Sequence, residues 1–438
     1  EAMIAASRTG LSDRIWLHSG APLQRQQRRK HCKDARTAHA AARRAAMAGD
    51  ARRLDDTGSA GRLRHARPRH GLVSRGTRRT MNSRASFTIC PQAKQILDGD
   101  VPSATLTDIV EPWFLGGGKD GPGGAEFAAF KAEHEGKVRF HASIADMPKP
   151  DGKMMAMVCT RTADMPGYVD ELVDHGVSHV FLEKPGAPTV DELGRMKDDC
   201  AKKGATIWMG FNKNVTAYVT KGREALAKVP GGDFTLVHHN AYKADELGEC
   251  FERNAEGMLK NMAIHELALL VTFFGVNSET LSDVVADKAY SDLRTEKGPS
   301  SGDDFTDFSR IGFTVTTKAG AKVSVYADRC GLELPDGAMA DGGMMYSSVS
   351  KLGIIQSRDI MPDADLVATV EARSKENPDW MPYFHLQHDD YITLKERCTA
   401  HIASGASGDP EGIATIQVGY DTLKLAETLK PLLEKQLL

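Results

Sequence analysis

Two residues in this sequence have the type and setting for proton chemistry at an oxygen. Lys184 stands in FLEKPGAPTVDEL, at the end of the apolar run SHVFL. His265 stands in AEGMLKNMAIHELALLVTFFG, a stretch that is otherwise nearly all apolar. A histidine titrates close to neutrality and can serve as general base or acid. A lysine beside a hydroxyl favours the alkoxide as charge develops. Asn261 precedes His265 by four residues, so on one continuous helix the two share a face. Polar residues on so apolar a helix need partners once buried. Taken singly, His265 is more often a satisfied core histidine than a base, and Lys184 more often a surface lysine.

A second stretch, LGGGKDGPGG at 115–124, carries glycines at 116, 118 and 121 in the spacing G-x-G-x-x-G. An apolar run, ATLTDIVEPWFL, precedes it and a helical pattern, GAEFAAFKAEHEG, follows. That is the setting of a loop that cradles a pyrophosphate. The extra glycines, the proline and the lack of a strict partner acid also suit a flexible surface loop.

The elements that must position these residues alternate between strand and helix. ATLTDIVEP, KVRFHAS, KMMAMVCT, SHVFLEKP and TIWMGFN read as strands. The segments after 124, 165 and 189 read as helices, the last capped by Thr189 and stopped at Gly204. QAKQILDGDVP reads as a helix ahead of them. This alternation predicts a Rossmann-like, doubly wound parallel sheet, with ligands bound at the carboxyl ends of its strands. Beyond about 212, DFTLVHHNAY, FSRIGFTVTTK, AKVSVYADRC and SSVSKLGIIQS are long β-rich runs. They predict an α+β domain with a large, mostly antiparallel open sheet. The stretch around His265 reads as one helix ending at Gly275, and a last helix closes the chain.

Composition divides the chain further. Residues 1–80 carry 19 basic side chains, 17 of them Arg, against 6 acidic ones, while the remainder has a net charge of −16. The leader has no sustained apolar period and reads as a disordered tail. An organelle transit peptide is the alternative, and Met81 then stands near the start of the folded part. A nucleic-acid arm lacks interleaved aromatics. The expected division is 1–80 leader, 81–211 dinucleotide-binding domain, and 212–438 substrate and oligomerisation domain. The 7 cysteines are scattered without a C-x-x-C pair, which argues for reduced thiols and against a zinc site. The paired His238 and His239 have no matching acidic or cysteine cluster, so no metal is expected. No apolar run is long enough to span a bilayer.

Glu183-Lys184-Pro185, then Gly210-Phe211-Asn212, then Asn261 to His265, in that order and spacing, resemble the Gfo/Idh/MocA oxidoreductases, over roughly residues 100–438. The resemblance implies an NAD- or NADP-binding Rossmann domain, an open-sheet domain, and a sugar, polyol or related alcohol as substrate. It implies Lys184, His265 and Asn261 as the catalytic set, and Glu111, Thr160, Arg161, Glu183, Lys184, Pro185 and Asn212 about the cofactor. Glu111 takes the place of the acid that holds the ribose 2′-hydroxyl, which favours NAD over NADP, since a carboxylate repels a 2′-phosphate. The family carries Asp where this chain has Asn261, so a proton relay through that position is not available to an amide. His238, His239, Asn240, Tyr242 and Lys243 are expected along the substrate side or a subunit contact. A homo-oligomer formed through the second sheet and a cytoplasmic setting, or an organelle if the leader is a transit peptide, complete the expectation.

Within that frame LGGGKDGPGG lies one strand–helix unit too late. With ATLTDIVEP as the second strand, the glycine loop belongs just before Gln92, where RASFTICP has no glycine. The main reading of 115–124 is an insertion after the second strand. The runner-up is a displaced phosphate loop with Asp146 as its acid. The first strand and its loop are degenerate on the main reading, with residues 85–90 as a short edge strand. A catalytically silent binding module is therefore the rival to the oxidoreductase.

Overall fold

The computed structural model describes residues 3–6, 13–14, 91–121, 123–150, 153–331, 343–377 and 382–438, all within one compact unit. The rest of the leader and the strand expected at 85–90 lie outside the described residues.

The first sheet is Rossmann-like. Its strands are β1 (Met3–Ala6), β2 (Asp13–Arg14), β3 (Leu106–Val110), β4 (Arg139–His141), β5 (Lys153–Val158), β6 (His179–Leu182) and β7 (Thr206–Met209). The pairs β3–β4, β5–β6 and β6–β7 are parallel. Between β3 and β5 lies β1, antiparallel to both, and β2 pairs with the start of β5. The helices α1 (Pro91–Leu97), α2 (Gly124–His134), α3 (Met165–His175) and α4 (Val190–Lys202) connect these strands. Thr189 caps α4, its Oγ1 accepting from the Glu192 amide at 3.2 Å. Met154 to Val158 of β5 are all buried, as a central strand covered on both faces requires.

The second sheet runs β10–β11–β12–β8–β13–β14, from β8 (Asp233–His239), β9 (Leu281–Ala286), β10 (Asp292–Lys297), β11 (Asp304–Thr317), β12 (Lys322–Asp328), β13 (Met344–Lys351) and β14 (Ile354–Met361), with β9 also on β11. Only β8–β12 is parallel among these pairs. The run SSVSKLGIIQS, which reads as one β stretch, is folded back on itself. Leu352 (φ 53°) and Gly353 (φ 78°) make the tight turn between β13 and β14, whose left-handed pair matches the strand twist.

The helices α5 (Ala217–Ala227) and α6 (Leu247–Arg253) belong with this sheet, and were not evident from periodicity. The stretch containing His265 is two helices rather than one: α7 (Met258–Asn261) and α8 (Ile264–Phe274), broken at Met262 and Ala263. Asp307 holds the start of α7, its carboxylate accepting from the Met258 amide at 2.9 Å. Past α9 (Ala364–Glu376) and α10 (Pro382–Leu386), α11 (His388–Ser404) returns to the first sheet. The strand β15 (Ala414–Thr415) then pairs with β7 ahead of α12 (Ile416–Leu437).

Why α8 is apolar all round is now plain. Ile264 and Ala268 pack into the core of the first sheet, while Leu267, Leu269 and Leu270 pack into that of the second. Helix α12 does the same, with Leu423 on one side and Leu425, Ala426 and Leu429 on the other. A helix buried between two cores has no polar face to keep.

Candidate active site

The carboxyl ends of the parallel strands deliver most of the candidate residues to one edge of the first sheet. Glu111 follows β3, Thr160 and Arg161 follow β5, Glu183 to Pro185 follow β6, and Asn212 follows β7. This is the edge where an open α/β sheet binds its ligand.

Lys184 meets the α7–α8 break. Its Nζ donates to the Asn261 backbone carbonyl at 3.3 Å. A carbonyl at the end of a helix lacks an intrahelical partner, and the lysine supplies one. His265, in the first turn of α8, is only 8% exposed and its Nδ1 is buried without a hydrogen-bond partner. The Phe211 ring stands edge-on to it at 6.0 Å. Burial, and after it the charges of Lys184 and Lys213, hold the imidazole well below the usual histidine range. The ring is therefore neutral at ordinary pH, the form a general base must start from, although the same surroundings oppose its protonation.

Because α7 and α8 are separate, Asn261 does not share a helix face with His265. Its side-chain amide donates instead to Glu256 Oε1 at 2.8 Å. Asn212 donates to Gln387 Oε1 at 2.6 Å and leaves its own Oδ1 buried and unpartnered. Glu183 turns toward α1, where Gln92 donates to its carboxyl. Burial pushes that carboxyl up, against the Gln92 bond and the charges of Lys184 and Lys395. Arg161 pairs with Asp164 at 2.6 Å, and the Thr160 hydroxyl donates to the Arg161 carbonyl at 3.4 Å. Glu111 Oε1 accepts the Trp113 and Phe114 amides at 3.0 and 3.2 Å, closing its own turn.

The glycines of LGGGKDGPGG have a local explanation. They lie in the turns between β3 and α2 and, for Gly124, at the first residue of α2, after the second strand of the expected order. A Cβ on Gly118 would stand 2.0 Å from the Trp113 indole nitrogen, and one on Gly124 would stand 2.0 Å from the Lys119 carbonyl. Gly116 would strike the Pro112 carbonyl at 2.7 Å. These glycines make room for Trp113 and for the loop's own backbone.

One group at this edge escaped the sequence reading. Lys213, next to Asn212, is wholly buried and forms an ion pair with Glu266 at 2.5 Å. The other Glu266 oxygen meets His238 Nδ1 at 3.1 Å. Burial raises the Glu266 carboxyl, but Lys213 and His238 outweigh it and hold Glu266 ionised. The signal available was Glu266 itself, a lone acid inside an apolar helix, which must find a cation. Of the neighbouring cluster, His239 meets the Tyr290 hydroxyl at 3.2 Å, and Tyr242 accepts from Arg253 at 2.7 Å.

The comparisons with known proteins agree with the fold. Residues 122–211 match the Gfo/Idh/MocA family model, described as an oxidoreductase family with an NAD-binding Rossmann fold. The match runs from α2 to the residues just after β7. No curated protein matches the chain by sequence. Among solved structures it is similar to a probable dehydrogenase from Thermotoga maritima, at 17% identity and a TM-score of 0.57 over 79% of this chain and 93% of that one. It is also similar to a scyllo-inositol dehydrogenase from Lactobacillus casei with bound NAD(H) and scyllo-inositol, at 14% identity and 0.54, covering 79% and 93%. A putative myo-inositol dehydrogenase from Sinorhizobium meliloti 1021 gives 15% and 0.52, covering 79% and 95%. At these identities the likeness is one of fold. No helix among the described residues is long and apolar enough to cross a membrane.

Proposed function

We propose that this chain is an NAD(P)-dependent dehydrogenase or reductase acting on a secondary alcohol of a sugar or polyol, with NAD favoured. The observation that carries the proposal is the meeting of Lys184 with the turn that leads into His265, at the carboxyl edge of the parallel sheet. The polyol is supported by the Lactobacillus casei enzyme, which binds scyllo-inositol and NAD(H).

The buried, unpartnered Oδ1 of Asn212 and Nδ1 of His265 fit a site that takes a polar ligand. Glu111 would hold the ribose, and Thr160, Arg161, Glu183, Lys184, Pro185 and Asn212 would line the remainder. The nicotinamide cofactor, when bound, supplies the hydride acceptor or donor. Lys184 orients and polarises the substrate oxygen, and its charge favours the alkoxide. His265 takes the hydroxyl proton in oxidation and returns it in reduction. Asn261 and Asn212 are secondary polar contacts. Self-association through the second sheet goes with this reading, since Leu352, Ile354 and Ile355 at the β13–β14 turn are exposed.

A second reading, a catalytically silent binding or oligomerisation module, is favoured by the direction of β1. Running antiparallel at the centre of the sheet, β1 cannot deliver a following loop to the crevice. The test is a titration of the full chain with NADH and NADPH, following quenching of tryptophan emission, with Lys184→Ala alongside. Saturable binding, followed by turnover in a polyol screen, is expected. A folded protein that binds neither dinucleotide overturns the enzyme reading and leaves the silent module.

A further inference from the structure

Three elements converge on one carboxylate. Glu266 stands on α8 directly after His265. Lys213 reaches it from the turn that follows β7, and His238 reaches it from β8. The Lys213 and Glu266 side chains are completely withdrawn from solvent and His238 nearly so. The turn that carries Lys213 also carries Asn212, and Phe211 before it packs edge-on to His265.

We propose that the Lys213–Glu266 pair is the positioning device for His265, fixing the first turn of α8 against the carboxyl end of β7 and beside the Lys184 loop. The inference rests on the reading of His265 as base, but its test requires neither substrate nor cofactor.

Stability alone does not account for the pair. A buried ion pair can often be replaced by apolar residues of similar volume at no cost, whereas removing one partner leaves an uncompensated charge. What the pair supplies is an orientation and a balanced field. Lys184 faces His265 from the β6 loop, Lys213 from the turn after β7, His238 from β8 and Glu266 from the same helix. The lysines and His238 oppose a charged imidazole and Glu266 favours it. With Lys213 and Glu266 both present, their effects on the ring oppose each other, and burial and Lys184 keep it uncharged. Phe211 fixes its plane.

The experiment is an NMR titration of the imidazole protons in the full chain, with the His265 signal assigned by its loss in His265→Gln. Lys213→Met leaves Glu266 with His238 as its remaining partner and is expected to move the His265 midpoint up by about one pH unit. Lys213→Arg keeps the charge and holds the wild-type midpoint. Lys213→Met/Glu266→Leu removes both charges and restores the midpoint, yet shifts the His265 resonance, because the ring loses its fixed place beside Phe211. Should Lys213→Met fail to fold, the double variant decides by the resonance position alone. A folded double variant whose His265 resonance and midpoint are those of the wild type overturns the proposal, as does a Lys213→Met protein with an unmoved midpoint.

Discussion

The Lys184 ammonium donates to the backbone carbonyl of Asn261, so the lysine after β6 is tied to the break between α7 and α8. Four residues of sequence bring His265 to that break. The contact links a residue of the parallel sheet to the helix that carries the candidate base, and it makes a specific demand on the side chain. A compact ammonium reaches both the carbonyl and a substrate oxygen; the planar fork of arginine does not present its donors in the same way. Lys184→Met and Lys184→Arg are both expected to reduce kcat by about 100-fold or more, with far-UV circular dichroism unchanged. Near wild-type turnover in Lys184→Arg would remove the requirement for a lysine.

His265 leaves a mark on stability. Its folded-state pKa lies well below 6.5, chiefly through burial and then through Lys184 and Lys213. Below pH 6.5 the unfolded chain therefore binds a proton that the folded chain refuses. Stability contributed by this group is present above that pH and is lost as pH falls toward the folded value. Replacing His265 with Gln is expected to flatten the fall in Tm as pH drops below 6.5. The same depression predicts that kcat/KM for oxidation stays level through the range where an ordinary histidine would become protonated. An acid limb centred at the ordinary histidine value argues against His265 as the base.

Asn261 separates the sequence expectation from the structure. Its amide bonds to Glu256 and shares no helix face with His265. Asn261→Ala keeps the backbone carbonyl that Lys184 uses, so turnover is expected to change by less than about threefold, the cost of one exposed hydrogen bond. A loss comparable to that of Lys184→Met instead points to direct contact between the amide and the substrate.

The difference over Asn261 shows what was legible in the sequence and what was not. The parallel strands were, because β5, β6 and β7 are short apolar runs between capped helices, and burial on both faces leaves that pattern. The places of Lys184 and Asn212 followed from it, since residues after such strands fall at one edge. The helix break was not legible, because Met262 and Ala263 are both compatible with helix and the break is set by contacts distant in sequence, Asp307 at one end and Lys184 at the other. Lys213 was equally hidden. Beside Asn212 it reads as a surface lysine, and only the return of α8 shows which acid it meets. The turn at Leu352 and Gly353 escaped notice because leucine rarely takes a positive φ.

The loop glycines are testable as packing elements. Gly118 admits the Trp113 indole, which a Cβ would strike at 2.0 Å. Gly118→Ala is expected to destabilise the protein by about 1–3 kcal/mol, as overpacking does. Trp113→Leu made in the same chain should recover part of that loss, a coupling readable in a double-mutant cycle of urea midpoints. A phosphate-cradling role predicts the opposite pattern: little loss of stability, with weakened dinucleotide binding that Trp113→Leu cannot restore.

Asp390 supplies the prediction with the clearest sign. Its Oδ2 is buried without a hydrogen-bond partner. Burial, then the neighbouring Asp389, raises its carboxyl to about 8, with Lys213 opposing. The unfolded chain gives up this proton near pH 3.8, while the folded chain keeps it until about pH 8. The group therefore favours the fold fully only below the unfolded value, and its contribution is lost as pH rises through the folded one. Asp390→Asn cannot ionise and is close in shape, so its Tm should match the wild type near pH 4 and exceed it increasingly toward pH 8. Thermal unfolding of the two proteins across that range measures the difference directly. A gap that stays constant with pH would show that Asp390 is already ionised in the folded chain, with Lys213 rather than burial setting its charge.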